Sequence, residues 1–279
     1  MNDTVKLSSP ATQEFWEVPI LFEDADLLAL DKPAGLLVSP DRYDPDRPNL
    51  MKLLHRDIER SAAWSRERGL TYLMNAHRLD FPTSGVILLA KNKTALIHLA
   101  NQFGEAKPAK VYAALTRGSI RDDNFSNAAK LAPNPLRPGM MKVDPKNGKQ
   151  ARTEFQVRER FTGYLLLECR PLTGRTHQIR AHLKNQGLPM VGDPVYGGPP
   201  LLLSSLKRDY TLKRGKEERP LIGRVALHAE KLTIKHPTSG AQITIDAPWP
   251  KDFTVAVKYL RRYAASTGDA RSETPPAID

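Results

Sequence analysis

One cysteine among 279 residues, Cys169, rules out a disulfide within the chain and leaves no thiolate cluster for a zinc site. Set in "GYLLLECRP", that thiol is expected to pack as a small buried hydrophobe. A reducing, cytoplasmic setting fits it. Long apolar runs are lacking too. "GVILLA" and "YLLLE" are far too short to span a bilayer, and "MNDTVKLSSPATQEF" has no apolar stretch of the secretory kind, so no membrane association is expected. Acidic residues are in deficit: 31 against 42 basic ones leave a net charge of +11 and a pI near 9.7. That surplus favours polyanion partners, because neutralising phosphates releases counterions. A basic surface kept for solubility is the competing explanation. No fixed-period repeat occurs.

What is present is ordinary for a globular protein, with 40% hydrophobic and 26% charged residues. The length allows two lobes or one large domain. Residues 1–14 are polar and expected to be a flexible segment. Residues 264–279, rich in small, polar and proline residues, are expected to be a disordered tail. Between them, "VPILFEDADLLALDKPAG" predicts two strands around an Asp-rich turn, and "GVILLAKN" a buried strand. "KVYAALTRG", "ARTEFQVRERF" and "GYLLLECRPL" also predict strands, as do the two flanks of the turn in "VALHAEKLTIKHPTSGAQITIDAP". Helical spacing marks "NLMKLLHRDIERSA", "KTALIHLANQFGE", "THQIRAHLKNQG" and "PKDFTVAVKYLRRYA". Strands that return directly on themselves argue for an α+β fold over βαβ alternation. The expected form is a mixed, mainly antiparallel central sheet with flanking helices.

Three stretches carry the types of residue that chemistry needs. In "HRLDFPTSG", Asp80 precedes a Pro–Thr–Ser–Gly turn. If "YLMNAHRL" is a strand, Arg78 and Asp80 project to one face at its end. A carboxylate held there by a buried strand suits a site, and a turn cap explains the same letters. In "TGRTHQIRAHLKNQG", Arg175 and His177 open the expected helix, where cations oppose the helix dipole. An anion facing Arg175 would relieve the conflict, either Asp80 or an RNA phosphate. His177 and His182 are five apart and do not form the i, i+4 pair of a helical zinc site, so no metal is expected. In "KVYAAL", Tyr112 is either core packing or a phenol facing a pocket, able to pass a proton or stack on a base. Two weaker stretches are "GDPVYGG", which matches neither GxGxxG nor a P-loop, and the basic "LKRDYTLKRGKEERPLIGR", a phosphate grip or a solvated insert.

Taken together, "DKPAGLLV", "HRLDFPTSG", "KVYAAL", "GKQARTEF", "GRTHQIRAHL", "GDPVYGG" and "LHAEKLTIKHPTSG" resemble the RluA-type pseudouridine synthases over roughly Pro19 to Phe253. The resemblance implies a catalytic domain over residues 15–263 with a cleft across its sheet. It implies cofactor-free isomerisation of uridine in ribosomal or transfer RNA by a cytoplasmic enzyme, expected to be a monomer. Asp80 would be the catalytic carboxylate, and Arg78 would help displace the target base. Tyr112 would be the pocket tyrosine and Arg175 the ion-pair partner of Asp80. The segment from Pro199 to Arg224 is longer than the simplest members need. Two rivals are a non-catalytic RNA-binding protein of the same fold and a glycosidic hydrolase. The hydrolase would need a second acid, and no partner carboxylate is evident.

Overall fold

The computed structural model describes residues 4–41, 44–212 and 215–266. The chain opens with β1 (Thr4–Ser9), β2 (Glu14–Glu23) and β3 (Leu27–Lys32). The turn between β2 and β3 closes because Asp24 accepts the backbone N–H groups of Asp26 and Leu27, each at 2.8 Å. Next come α1 (Leu50–Glu59), α2 (Ala63–Arg66), β4 (Met74–Asn75), β5 (Ser84–Ala90), α3 (Lys93–Gly104) and β6 (Ala109–Arg117). Asn49 and Asn92 cap α1 and α3, accepting the N–H groups of Lys52 and Ala95. The second half holds β7 (Asn124–Asn127), β8 (Leu131–Pro133), β9 (Met141–Val143), β10 (Thr153–Phe161), β11 (Tyr164–Pro171) and α4 (Gln178–Asn185). It ends with β12 (Leu227–Lys235), β13 (Gln242–Asp246) and α5 (Lys251–Tyr263).

Among the described residues, eleven strands join one sheet in the order β1-β2-β3-β5-β12-β6-β11-β10-β7, with β13 beside β12 and β4 beside β5. β8 and β9 form a separate hairpin. Pairing is antiparallel except between β5 and β12. The fold is thus α+β with a mixed, mainly antiparallel sheet, as its sequence implies. Alternation along the strands assigns the helices to faces. On one face, Leu28, Leu30, Ile87 and Leu89 pack with α1, and Leu165, Leu167 and Cys169 pack with α4. On the other, Leu27, Ala29, Val86 and Leu88 meet α3, and Leu115, Tyr164 and Leu166 meet α5. Each such leucine removed from water contributes about 1.5–3 kcal/mol.

The two halves meet at β5 and β12, which pair only through His228↔Ser84 and Ala229↔Gly85. Gly85 has φ +113°, and a Cβ on it would lie 2.2 Å from the Ala229 carbonyl oxygen. Only glycine lets the two backbones come this close. The Ser84 hydroxyl bonds Nδ1 of buried His228 at 2.9 Å, and Nε2 of the same ring reaches the Ala247 carbonyl at 3.2 Å. Pairing then places Lys32, Gly85, Ala229, Tyr112 and Cys169 in register across five strands.

Several sequence-based expectations need correction. Residues 4–14 are not a loose segment. Val5 and Leu7 are buried against α1, and Lys6 between them faces outward from an edge strand, while residues 1–3 lie outside the described residues. The strand expected over "YLMNAHRL" stops at Asn75, so Arg78 and Asp80 lie on the loop leading into β5. α4 begins at Gln178, after Arg175. The disorder expected over 264–279 falls mostly outside the described residues, but Ala264 is buried and accepts the N–H of Thr162 at 2.7 Å. The long segment after Pro199 is clasped at its ends: Leu221 donates to the Leu201 carbonyl at 2.8 Å, and Leu201 and Ile222 are buried in the cluster around α5.

Gly85→Ala is expected to cost about 3 kcal/mol or more, from strain plus overpacking. Urea unfolding should show a lower midpoint at unchanged slope. A variant within about 0.5 kcal/mol of the parent would show that the seam tolerates a side chain.

Candidate active site

A cavity of about 270 Å³ opens where the halves of the sheet meet. The loop before β5 supplies Arg78, Asp80 and Thr83, β6 supplies Lys110 and Tyr112, and the loop before α4 supplies Thr173 to His177. Phe103 at the end of α3 closes one wall and stacks on His77, with ring centroids 4.8 Å apart.

Asp80 sits in a tight turn in which Thr83 donates its N–H to the Asp80 carbonyl at 3.1 Å. The "DKPAG" loop grips the same turn, since Gly35 donates its N–H to the Phe81 carbonyl at 2.9 Å. That loop is held in turn by Lys32, fully buried, whose ammonium donates to the carbonyls of Pro33 and Leu36 at 2.7 Å each. Burial pulls the Lys32 pKa down to about 7 against the opposing pull of the Asp80 charge. Arg47 stacks over the Phe81 ring at 4.0 Å, so Phe81 in the variable part of the motif also braces the turn. Arg78 is exposed at the cavity mouth.

Facing Asp80 is the N-terminal turn of α4. Arg180 Nη1 lies 3.4 Å from Asp80 Oδ2, and His177 Nε2 lies 3.8 Å from the same oxygen. The Arg180 side chain is 3% exposed and also forms a two-pronged pair with fully buried Asp193, at 2.7 and 2.9 Å. A cation at this end of a helix opposes the dipole, and two carboxylates offset the conflict. His177 precedes the helix with φ +53°, and its Nδ1 shares a hydrogen with the Tyr196 hydroxyl at 3.2 Å. Burial lowers the His177 pKa, with Asp80 acting against it. The Tyr112 hydroxyl has no hydrogen-bond partner among the described residues. Its pKa is pushed well up, by burial first and then by the Asp80 charge, so it stays protonated at neutral pH. Thr83, another cavity residue, keeps its buried hydroxyl unpaired among the described residues.

Asp80, Arg78, Tyr112 and Arg175 all line this one cavity. The expected pairing of Arg175 with Asp80 is nevertheless wrong. Arg175 is exposed, and its Nε donates to the Gln150 carbonyl at 2.9 Å. Gln178 turns it outward: its side-chain oxygen takes the Arg175 N–H and the Thr173 hydroxyl, while its amide donates to the Arg152 carbonyl and to Thr153 Oγ1. The guanidinium at Asp80 belongs to Arg180, in the same "GRTHQIRAHL" stretch. Its signal is a position three residues before buried Leu183, on the inward side of a short helix. His177 and His182 diverge: the first faces the cavity, and the second is buried between Thr153 and the Ala129 carbonyl. Cys169 is fully buried, and burial holds its thiol protonated.

Sequence comparison agrees with this architecture. The profile of the RNA pseudouridylate synthase family matches residues 26–185. The ribosomal large subunit pseudouridine synthase D of Xanthomonas campestris is 36% identical over 90% of this chain and 71% of its own length. The dual-specificity RNA pseudouridine synthase RluA of Escherichia coli is 34% identical over 85% of this chain and 94% of its own length. Human RNA pseudouridylate synthase domain containing 4 superposes with TM-score 0.69 at 22% identity, covering 87% of this chain and 92% of its own, and so shares the fold. The chain belongs to the RNA pseudouridylate synthase family and is an RNA-modifying isomerase of the RluA type. Among the described residues, no helix is long and apolar enough to cross a membrane.

Two predictions follow from the packing of the site. Arg180→Gln leaves Asp193 buried without its cation and should cost about 3–5 kcal/mol in urea unfolding, whereas Arg175→Gln should stay within about 0.5 kcal/mol of the parent. Equal effects would contradict the assignment. His77 accepts the Leu88 N–H at 3.1 Å, and burial lowers its pKa to about 3. Between that value and the unfolded value near 6.5, the unfolded chain binds one more proton, so acidification removes stability. In His77→Gln the slope of stability against pH between about 4 and 6 should be shallower by up to roughly 1.4 kcal/mol per pH unit. An unchanged slope would contradict a neutral, buried His77.

Proposed function

We propose that this chain converts particular uridines of ribosomal or transfer RNA to pseudouridine, acting as a cytoplasmic monomer without a cofactor, with Asp80 as the reacting carboxylate. The observation that carries the reading is Asp80 itself, partly buried on the cavity wall within 3.4 Å of Arg180 and two residues from exposed Arg78. One relative is named as a ribosomal large-subunit enzyme, which supports a ribosomal substrate, and another as an RNA enzyme of dual specificity, which supports more than one RNA substrate.

The reaction breaks the N1–C1′ bond, turns the freed uracil and joins C5 to C1′. C5 loses a proton and N1 gains one. A base inside a helix is out of reach, so it must be flipped out at a cost of a few kcal/mol. Arg78, exposed at the mouth and without an ion pair among the described residues, can enter the gap and stack there. Arg180 lies against one oxygen of the Asp80 carboxylate, and that carboxylate acts as nucleophile or base. Tyr112, protonated at neutral pH, serves as proton donor or stacking face. Arg175 and Lys110 line the cavity and suit phosphates of the flanking strand. Arg175 thereby takes the second of the two partners weighed for it, a phosphate in place of Asp80.

The test is Asp80→Asn with 5-tritiated uridine in total ribosomal and transfer RNA, followed by mapping of the modified positions. Tritium release should fall at least about a thousandfold while RNA is still bound. Release at the parental rate would refute the role of Asp80, and modification of neither RNA class by the parent enzyme would refute the substrate.

A further inference from the structure

The "GDPVYGG" loop matches no phosphate-binding pattern, yet it supplies the most deeply buried acid beside the cavity. We propose that Asp193 is a positioning residue for the reaction: it holds the Arg180 guanidinium so that only one nitrogen is presented to Asp80. The proposal rests on the assignment of Asp80 as the reacting carboxylate.

The distances divide the guanidinium unequally. Nε and Nη2 go to the two Asp193 oxygens at 2.7 and 2.9 Å, and Nη1 alone approaches Asp80, at 3.4 Å. The tight fork is therefore spent on the acid that does no chemistry. A fork closed on Asp80 would engage both of its oxygens, whereas a reacting carboxylate needs one free. The ring of Tyr196, 5.1 Å from the guanidinium carbon, covers its face and prevents rotation.

Asp193 can act as the fixed partner because its own loop is tied to its surroundings by hydrogen bonds and close backbone contacts. Its Oδ1 also accepts the N–H groups of Val195 and Tyr196 at 3.2 and 3.3 Å, and its carbonyl accepts the N–H of Gly198 at 2.7 Å. A Cβ on Gly192 would lie 2.2 Å from the Arg224 carbonyl oxygen, and one on Gly198 would lie 1.5 Å from the Met190 carbonyl oxygen. The two glycines thus seat the loop directly on neighbouring backbone. The Tyr196 hydroxyl takes the Met141 N–H at 3.0 Å, which ties the loop to the β8–β9 hairpin. Among the described residues the Asp80 carboxylate has no comparable set of bonds, so the shared cation is placed by Asp193 and Asp80 responds.

The experiment compares Asp193→Asn, Arg180→Lys and the double variant in the full chain, by pseudouridine formation and by RNA binding. Asp193→Asn should lower kcat at least about tenfold while KM and RNA Kd stay within about threefold. In the Arg180→Lys background, where no fork remains to orient, Asp193→Asn should cost less than about threefold more. A parental kcat in Asp193→Asn, or losses that simply multiply in the double variant, would overturn the proposal. If thermal melting shows that Asp193→Asn does not fold, Arg180→Lys decides. It keeps the charge and loses the fork, so kcat should fall with KM held, and an unchanged kcat counts against positioning. Asp80→Asn is run alongside: if that variant is active, the catalytic assignment has failed, independently of what Asp193 does.

Discussion

The contact between Gly85 and Ala229 is where the two halves of this protein become one enzyme. Everything on one side of it, including the turn that carries Asp80, is built from the first ninety or so residues of the sheet. Tyr112 and the loop before α4 come from the other side. Two residue pairs join β5 to β12, and a side chain at Gly85 would push them apart. The Ser84–His228 bond adds a polar stitch in a place with no water to compete. The Thr–Ser–Gly turn after Asp80 is therefore more than a loop that holds an acid still. Its last two residues set the distance from that acid to the groups it works with.

Around this seam the charges are arranged in tiers. Lys32 is buried and spends its donors on backbone carbonyls, shaping the loop that grips the Asp80 turn. Arg180 is buried and divided between two carboxylates. Arg78 and Arg175 are exposed at the mouth. Cations deep in the fold are costly unless every donor is satisfied, and here they are tied down. Those at the rim are open to solvent, Arg175 with its Nε on the Gln150 carbonyl. The basic surplus of +11 thus includes cations in two different environments that composition alone cannot separate.

Family membership adds an independent constraint. The relatives share about a third of their residues with this chain. The human neighbour keeps the fold at 22% identity. A sheet whose two faces are filled by alternating apolar residues tolerates much exchange if volume and pattern are kept. A glycine with a carbonyl 2.2 Å from where its Cβ would be has no such latitude.

The strands β2, β3, β5, β6 and β10 to β13 and the four longer helices were legible from period and turn residues alone, because local spacing decides which face is apolar. So were Asp80, Arg78 and Tyr112 as candidates, because an acid before a Pro–Thr–Ser–Gly turn and a tyrosine among small residues are visible as letters. The short strands β1, β7, β8 and β9 were not, since their polar residues hide a half-buried edge or a brief hairpin, and β4 is shorter than the strand its stretch suggested. Nor was the partner of Asp80. Arg175 and Arg180 stand in one signature and look alike in sequence. Which of them turns inward depends on the side chain of Gln178, the left-handed residue at His177 and a buried acid thirteen positions further on. Sequence by itself determined the longer elements, the family and the candidate acid Asp80, through periodicity, local turn chemistry and motif resemblance. The ion pair that surrounds that acid was decided only in three dimensions, because it joins residues a hundred positions apart whose meeting is set by how the two halves of the sheet are packed.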